Sequence, residues 1–152
     1  VLDRGAVTAM FLGEYSHALD LKGRLTIPAR FRSELEAGLV VTRGAEPCLV
    51  IYPQEAWVAL ARKAAQMPSA SRTARSYNRR LFGGAYEASL DKMGRILIPS
   101  FLRDYAGVTD EAVVVGLNTY IEVWNPERWR QALESDSQNL ESILEEVARM
   151  GV

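Results

Sequence analysis

One cysteine and one histidine are all that this chain carries of the commonest soft metal ligands. Cys48 alone cannot close an intrachain disulfide, and a paired-cysteine metal motif is excluded. Such usage suits a reducing, cytosolic setting. His17 has no partnered nucleophile or carboxylate at a spacing that signals catalysis, and the remaining metal ligands are too scattered for a site. No P-loop, GxGxxG, HExxH or GxSxG is present, so the reading is of a non-enzyme without metal or cofactor. No apolar run approaches the roughly 20 residues of a membrane-crossing helix, so no membrane partner is expected. An excess of one charge is missing too: 18 Lys and Arg face 19 Asp and Glu, for a net charge of -1. Any anion-binding surface must therefore come from uneven placement of charge.

What the chain does have is apolar material. Hydrophobic residues make up 48% of 152, enough for one domain, or for two small halves sharing a core. Residues 1–9, "VLDRGAVTA", lack the apolar stretch of a signal peptide. They read as an expression remnant or upstream extension ahead of a more natural start at Met10.

The strongest internal signal is a repeat. "FLGEYSHALDLKGRLTIP" (11–28) aligns with "FGGAYEASLDKMGRILIP" (82–99), and nine of the eighteen positions are identical: Phe11/Phe82, Gly13/Gly84, Tyr15/Tyr86, Leu19/Leu90, Asp20/Asp91, Gly23/Gly94, Arg24/Arg95, Ile27/Ile98 and Pro28/Pro99. "ARFRSEL" continues the parallel with "SFLRDYA", "LVVTRG" with "AVVVGL", and "CLVIYPQEAW" with "YIEVWNPERW". Self-similarity of this length means two copies of one supersecondary unit. The organisation is then 10–66 as first repeat, 67–81 as a basic linker or helix, 82–134 as second repeat and 135–152 as an acidic C-terminal helix.

Each copy reads alike. Alternation over 13–20 gives a half-buried strand with Tyr15 and Leu19 on one face. Asp20 can accept a hydrogen bond from backbone two residues on, and Gly23 can supply a positive φ, so a turn follows. Leu25 and Ile27 then alternate with Arg24 and Thr26 in a return strand, and strand, turn and strand read as a β-hairpin. Pro28 opens a short helix that buries Phe31 and Leu35. Two more short strands lead to an amphipathic helix with Trp57, Leu60 and Ala61 on one side. In the tail, Trp129, Ala132, Leu133, Leu140, Ile143, Leu144 and Val147 fall at helical spacing, with a break expected at 135–137. Strands this short cannot form a stable sheet alone. The two copies must share a core, in a small closed or interlocked β-barrel with helices outside.

Two Asp-x-x-Gly-Arg hairpins ending in Ile-Pro, an "MFLGEY" start and a Trp-bearing helix after each copy closely resemble the MraZ family of bacterial transcriptional regulators, within the AbrB-like superfamily of swapped-hairpin folds. The resemblance covers about residues 10 to 145. It implies a mainly β, α+β fold: a double-split β-barrel built from two swapped-hairpin repeats, with helices packed outside. It also implies a ring-like homo-oligomer, an octamer or similar, in the cytoplasm and associated with the nucleoid. The ring would bind double-stranded DNA at short direct repeats in the promoter of the division and cell-wall gene cluster, with repression the usual effect. The matching turn-positioning residues are Asp20, Gly23, Asp91 and Gly94, and the matching arginines are Arg24 and Arg95.

The residue chemistry is compatible with that implication. A two-stranded ribbon fits the major groove. Arg24 and Arg95 lie on the face opposite the apolar residues, where a guanidinium can fork onto guanine or phosphate. Lys22 and Lys92 sit in the turns and can contact phosphate. The plainer reading is that each Asp and Arg form a local salt bridge that fixes the turn; with the resemblance, an anion-contacting arginine oriented by its Asp is favoured. From Ala56 to Tyr86 the charged residues are Arg62, Lys63, Arg72, Arg75, Arg79 and Arg80, with no acidic one, whereas Glu134, Asp136, Glu141, Glu145 and Glu146 face only Arg149 in the tail. Arg79 and Arg80, leading into the second copy, are the better DNA candidates there. Cys48 reads as a small buried hydrophobe. Trp57, Trp124, Trp129 and Tyr52 read as core or subunit-interface anchors rather than stacking platforms. The alternative function is an antitoxin-like or protein-interaction module on the same fold, with the acidic tail gripping a partner.

Overall fold

The computed structural model describes residues 10–152; the reading of residues 1–9 lies outside them. The first copy runs β1 (Phe11–Ala18), β2 (Arg24–Thr26), α1 (Ala29–Arg32) extended by a 3₁₀ turn at Ser33–Leu35, β3 (Leu39–Arg43), β4 (Leu49–Pro53) and α2 (Gln54–Ala64). After α3 (Arg72–Leu81), the second copy runs β5 (Tyr86–Ala88), β6 (Arg95–Leu97), α4 (Ser100–Ala106), β7 (Glu111–Asn118), β8 (Tyr120–Trp124) and α5 (Pro126–Gln138), followed by α6 (Leu140–Arg149). Pro28, Pro53 and Pro99 each stand immediately before a helix with φ between -51 and -59°. Proline's ring fixes such an angle, so the residue that stops the strand also starts the helix.

The expected hairpin between β1 and β2 is not a ladder. A single bridge, Leu19 to Leu25, links the two strands across their turn. Instead β1 pairs along its whole length with β7 of the other copy, from Phe11↔Asn118 to Ala18↔Glu111. The physical reason is length: β2 has three residues and cannot satisfy the donors and acceptors of an eight-residue strand, whereas β7 also has eight. Period-two alternation gives a strand its faces but does not name its partner.

The exchange is reciprocal. β5 of the second copy pairs with β3 of the first, and β2 pairs with β6 in a separate two-stranded ribbon. The larger sheet has the order β1-β7-β8-β4-β3-β5, which reads the same in both directions once equivalent strands are exchanged. Its centre is the pair Val50↔Glu122, and the ribbon's centre is Leu25↔Ile96; each joins equivalent positions of the two copies. A pseudo-two-fold axis thus relates the halves. The architecture is α+β, its strand pairs all antiparallel.

One core serves both copies. Leu25, Ile27, Phe31, Leu35, Leu49 and Ile51 pack in a single buried cluster with Ile96, Ile98, Leu102, Val114, Ile121 and Val123. Phe31 meets Phe11 and Tyr15 edge-on, with ring centroids 5.2 and 5.5 Å away. The helices behind this core are unequal. α1 and α4 bury Phe31 and Leu102, but α2 buries only Ala64, and Trp57, Leu60 and Ala61 are half-buried. α5 and α6 have no fully buried residue. Their break falls at Asn139, later than the expected 135–137, because Ser135 and Ser137 point to solvent inside α5 and need not cap anything. No helix is long and apolar enough to cross a membrane among the described residues.

Candidate nucleic-acid interface

Both Asp-x-x-Gly-Arg turns are built from the same bonds. The Asp20 Oδ1 accepts the backbone N–H groups of Lys22 at 3.0 Å and Arg24 at 2.9 Å, and Oδ2 accepts the Arg24 Nε–H at 2.6 Å. The Gly23 N–H donates to the Asp20 carbonyl at 3.0 Å, with Gly23 at φ +85°. In the second copy the Asp91 Oδ1 accepts from Met93 and Arg95, and Oδ2 from the Arg95 Nε, each at 2.9 Å; Gly94 has φ +75°. Backbone N–H donation from Arg24 and Arg95, reinforced by the guanidinium, holds both carboxyls below the usual carboxylate range.

The ribbon sets the two turns together. Arg24 is opposite Leu97 and Arg95 opposite Thr26, and the Ile27 and Ile98 N–H groups donate across to the Gly94 and Gly23 carbonyls at 2.9 Å. The Arg95 Nη1 consequently lies 3.6 Å from the Asp20 Oδ2, so two guanidiniums converge on one carboxylate. The local Asp–Arg salt bridge is therefore present in both copies. Each fork restricts its arginine while the side chain stays partly open to solvent, at 36% for Arg24 and 22% for Arg95. Lys22 and Lys92 are exposed at the tips.

Two further arginines belong to this surface and were not singled out in the sequence. The Arg32 Nε donates to the Ile27 carbonyl and the Arg103 Nε to the Ile98 carbonyl, both at 2.9 Å. From there each side chain crosses the turn of the other copy. A Cβ on Gly23 would lie 2.6 Å from the Arg103 Nε, and one on Gly94 would overlap Arg32. Glycine is thus required twice over, for its left-handed backbone and for the arginine stem above it. The alignment of "ARFRSEL" with "SFLRDYA" places Arg32 and Arg103 in register, which was the available signal. A helical arginine ordinarily reads as a solvated side chain, and only the strand exchange carries it over the opposite turn. In all, six cations lie on or beside the two turns: Arg24 and Arg95 on the carboxylates, Lys22 and Lys92 within the turns, and Arg103 and Arg32 over Gly23 and Gly94.

Arg79 and Arg80 lie elsewhere, on α3. Arg79 is exposed. Arg80 is exposed too, but its guanidinium is held: its Nη2 donates to the Gly44 carbonyl at 3.1 Å and to the Tyr105 hydroxyl, and it stands over the Tyr105 ring at 5.2 Å. It ties α3 to the β3–β4 turn and to α4. Arg75 likewise caps the carbonyls of Ser69 and Ala70.

Cys48 is buried, and desolvation pushes its thiol far above the ordinary range. His17 is half-buried on β1; burial, then the charge of Arg32, holds its imidazole below the ordinary value. No cluster of three or more His, Cys, Asp or Glu able to hold a metal occurs among the described residues. Trp124 is buried against Trp129 at 5.6 Å, while Trp57 packs between Tyr52 at 5.7 Å and Phe82 at 5.0 Å. These aromatics brace helices against strands.

Comparison with known proteins agrees with the repeat. A family model described as "MraZ protein, putative antitoxin-like" matches twice, at residues 10–80 and 81–150. A protein of Roseiflexus castenholzii named "Transcriptional regulator MraZ" is 46% identical over 141 residues, covering 93% of this chain and 99% of its own length. Proteins of the same name from Herpetosiphon aurantiacus and Moorella thermoacetica are 45% and 44% identical, over 94% and 91% of this chain and 100% and 96% of their own lengths.

Proposed function

Since this chain belongs to the MraZ family, we propose that it is a transcriptional regulator that grips duplex DNA with the β2–β6 ribbon. The observation that carries this reading is the pairing of two Asp-forked arginine turns, side by side with four further cations on or beside them, on a chain whose net charge is only -1. A two-stranded ribbon is narrow enough for the major groove. Arginines already locked by a carboxylate lose little entropy on meeting a base edge or phosphate. The six-stranded sheet and the ribbon together would form the double-split barrel of swapped hairpins, with 10–66 and 82–134 as its two repeats.

One ribbon is a small surface, so affinity would come from several copies acting on repeated sites. A ring-like homo-oligomer, an octamer or similar, facing direct repeats in a division and cell-wall promoter satisfies that need, with repression by occupancy in the cytoplasm at the nucleoid. Lys22 and Lys92, with Arg32 and Arg103, would contact phosphate beside Arg24 and Arg95. Arg79 and Arg80 would join them from α3, Arg80 with its guanidinium already held by the Gly44 carbonyl and Tyr105. The test is a mobility-shift titration of DNA upstream of the gene. Arg24→Ala with Arg95→Ala should weaken binding by roughly tenfold or more, since a good arginine–base pair contributes about 1–3 kcal/mol. Undiminished binding at moderate salt rejects the assignment.

A second reading has its own support. Leu133, Leu140, Ile143 and Leu144 on α5 and α6 are exposed among the described residues, and the segment is acidic. A protein-interaction or antitoxin-like role would place a partner there. Removing residues 134–152 separates the two: loss of a partner with DNA binding intact favours the interaction module, and loss of self-association favours the ring.

A further inference from the structure

Apart from Met150 and Val152 at the last residues, the most exposed large apolar side chains among those described are Leu21, at 104%, and Met93, at 66%. They occupy the tips of the two ribbon turns: Leu21 follows Asp20, and Met93 precedes Gly94. Single exposed hydrophobes are ordinary on a surface, but these two stand at matching tips, each beside a lysine and an arginine of its own turn. The fold needs neither. Each turn is held by its aspartate and its glycine, and neither side chain belongs to a buried cluster. At each of these places the other copy carries lysine: Lys92 is equivalent to Leu21, and Lys22 to Met93. Each tip thus keeps one ammonium and one apolar side chain, in opposite order.

We propose that Leu21 and Met93 are apolar probes that meet the 5-methyl group of thymine in the major groove. The inference rests on the duplex-DNA reading above and adds what the cations cannot supply. Lysine on phosphate is indifferent to sequence, and arginine on a base edge favours guanine. Among the major-groove edges, the apolar feature is the thymine methyl, which an apolar side chain can cover. A backbone already fixed by the Asp20 or Asp91 carboxylate brings the probe to that methyl with little further ordering. The backbone of the ribbon is two-fold, but its tips are leucine–lysine and lysine–methionine. The two thymines sensed should therefore sit in unlike places, and the subsite of one protomer should not be a palindrome.

The experiment begins with duplexes selected by the full chain from a randomised library, titrated by fluorescence anisotropy. Each thymine is then replaced by uracil, which removes the methyl and leaves the pairing edge. Wild type should bind about fourfold more weakly at each sensed position, the worth of burying one methyl-sized group. Leu21→Ser should abolish the thymine–uracil difference at one position and Met93→Ser at another, with thermal midpoints unchanged because both side chains are exposed. Equal binding of fully uracil-substituted and thymine duplexes by wild type overturns the proposal. So does a selected site without thymine, or a thymine–uracil difference that neither Leu21→Ser nor Met93→Ser removes at any position. If no duplex is selected at all, the DNA reading itself fails; a chain that selects a site but ignores its methyls loses only this inference.

Discussion

At the scale of single residues, the turn glycines and aspartates are tightly constrained. Gly23 and Gly94 sit in the left-handed region, and each lies beneath an arginine of the other copy. Gly23→Ala and Gly94→Ala should each cost about 1–2 kcal/mol for the backbone alone, lowering the thermal midpoint by about 2–8 °C, and should weaken DNA binding by displacing Arg103 or Arg32. Scanning calorimetry together with a binding titration checks both effects. The lowered Asp20 and Asp91 carboxyls fix the sign of the acid response. Their contribution is present above the unfolded carboxylate range and is lost only as pH falls through their lower native values. Glu122 behaves oppositely. It is half-buried at the sheet's centre opposite Val50, accepts the Trp124 Nε1–H at 2.9 Å, and burial raises its carboxyl above the ordinary value. The native state then holds the Glu122 proton to higher pH than the unfolded chain does, so stability falls as pH rises through that window. Glu122→Gln should raise the melting midpoint at pH 7.5 and leave it unchanged in acid below the carboxylate range. A gain equal at both pH values would show that ionisation is not its source.

At the scale of elements, the helix starts were legible because their chemistry is local. Pro28, Pro53 and Pro99 mark helix entries whatever the tertiary context; the structure adds that Ser71, in the basic linker, caps α3 by accepting the Ala74 N–H at 3.2 Å. Asn125 does more. Its Oδ1 accepts the Arg128 N–H at 3.0 Å and its Nδ2 donates to the Gly107 carbonyl at 2.8 Å, fastening α5 to the end of α4. Asn125→Ala should therefore cost about 1–2 kcal/mol, towards the upper end for a cap, whereas Ser71→Ala should cost about 1 kcal/mol or less. Denaturant titrations of the two variants give the comparison. The break between α5 and α6 was misplaced for the same reason in reverse: serines suggest a cap, but nothing local says whether the helix will use them. The β1–β2 hairpin was misread because alternation identifies a strand and a turn identifies a reversal, while the ladder is decided by which strand is long enough to satisfy the other.

At the scale of the whole molecule, the exchange of strands makes each copy incomplete. β1 has its partner in β7, β5 has its partner in β3, and the central core is drawn from both halves. Segments 10–80 and 81–150, prepared separately, should lack cooperative melting and recover it on mixing, as seen by circular dichroism and amide dispersion in NMR. Two independently folded fragments would contradict a shared core. Sequence alone determined the duplication, the Asp-x-x-Gly-Arg turns and the inward set of Leu25, Ile27, Ile96 and Ile98, because repeats, turn chemistry and hydrophobic period are properties of neighbours along the chain. Tertiary structure alone decided that Arg103 lies over Gly23 and Arg32 over Gly94, that two guanidiniums approach Asp20, and that Arg80 is engaged with Tyr105 rather than free. Those contacts join residues far apart in the chain, and the register of strands exchanged between the two halves is what brings them together.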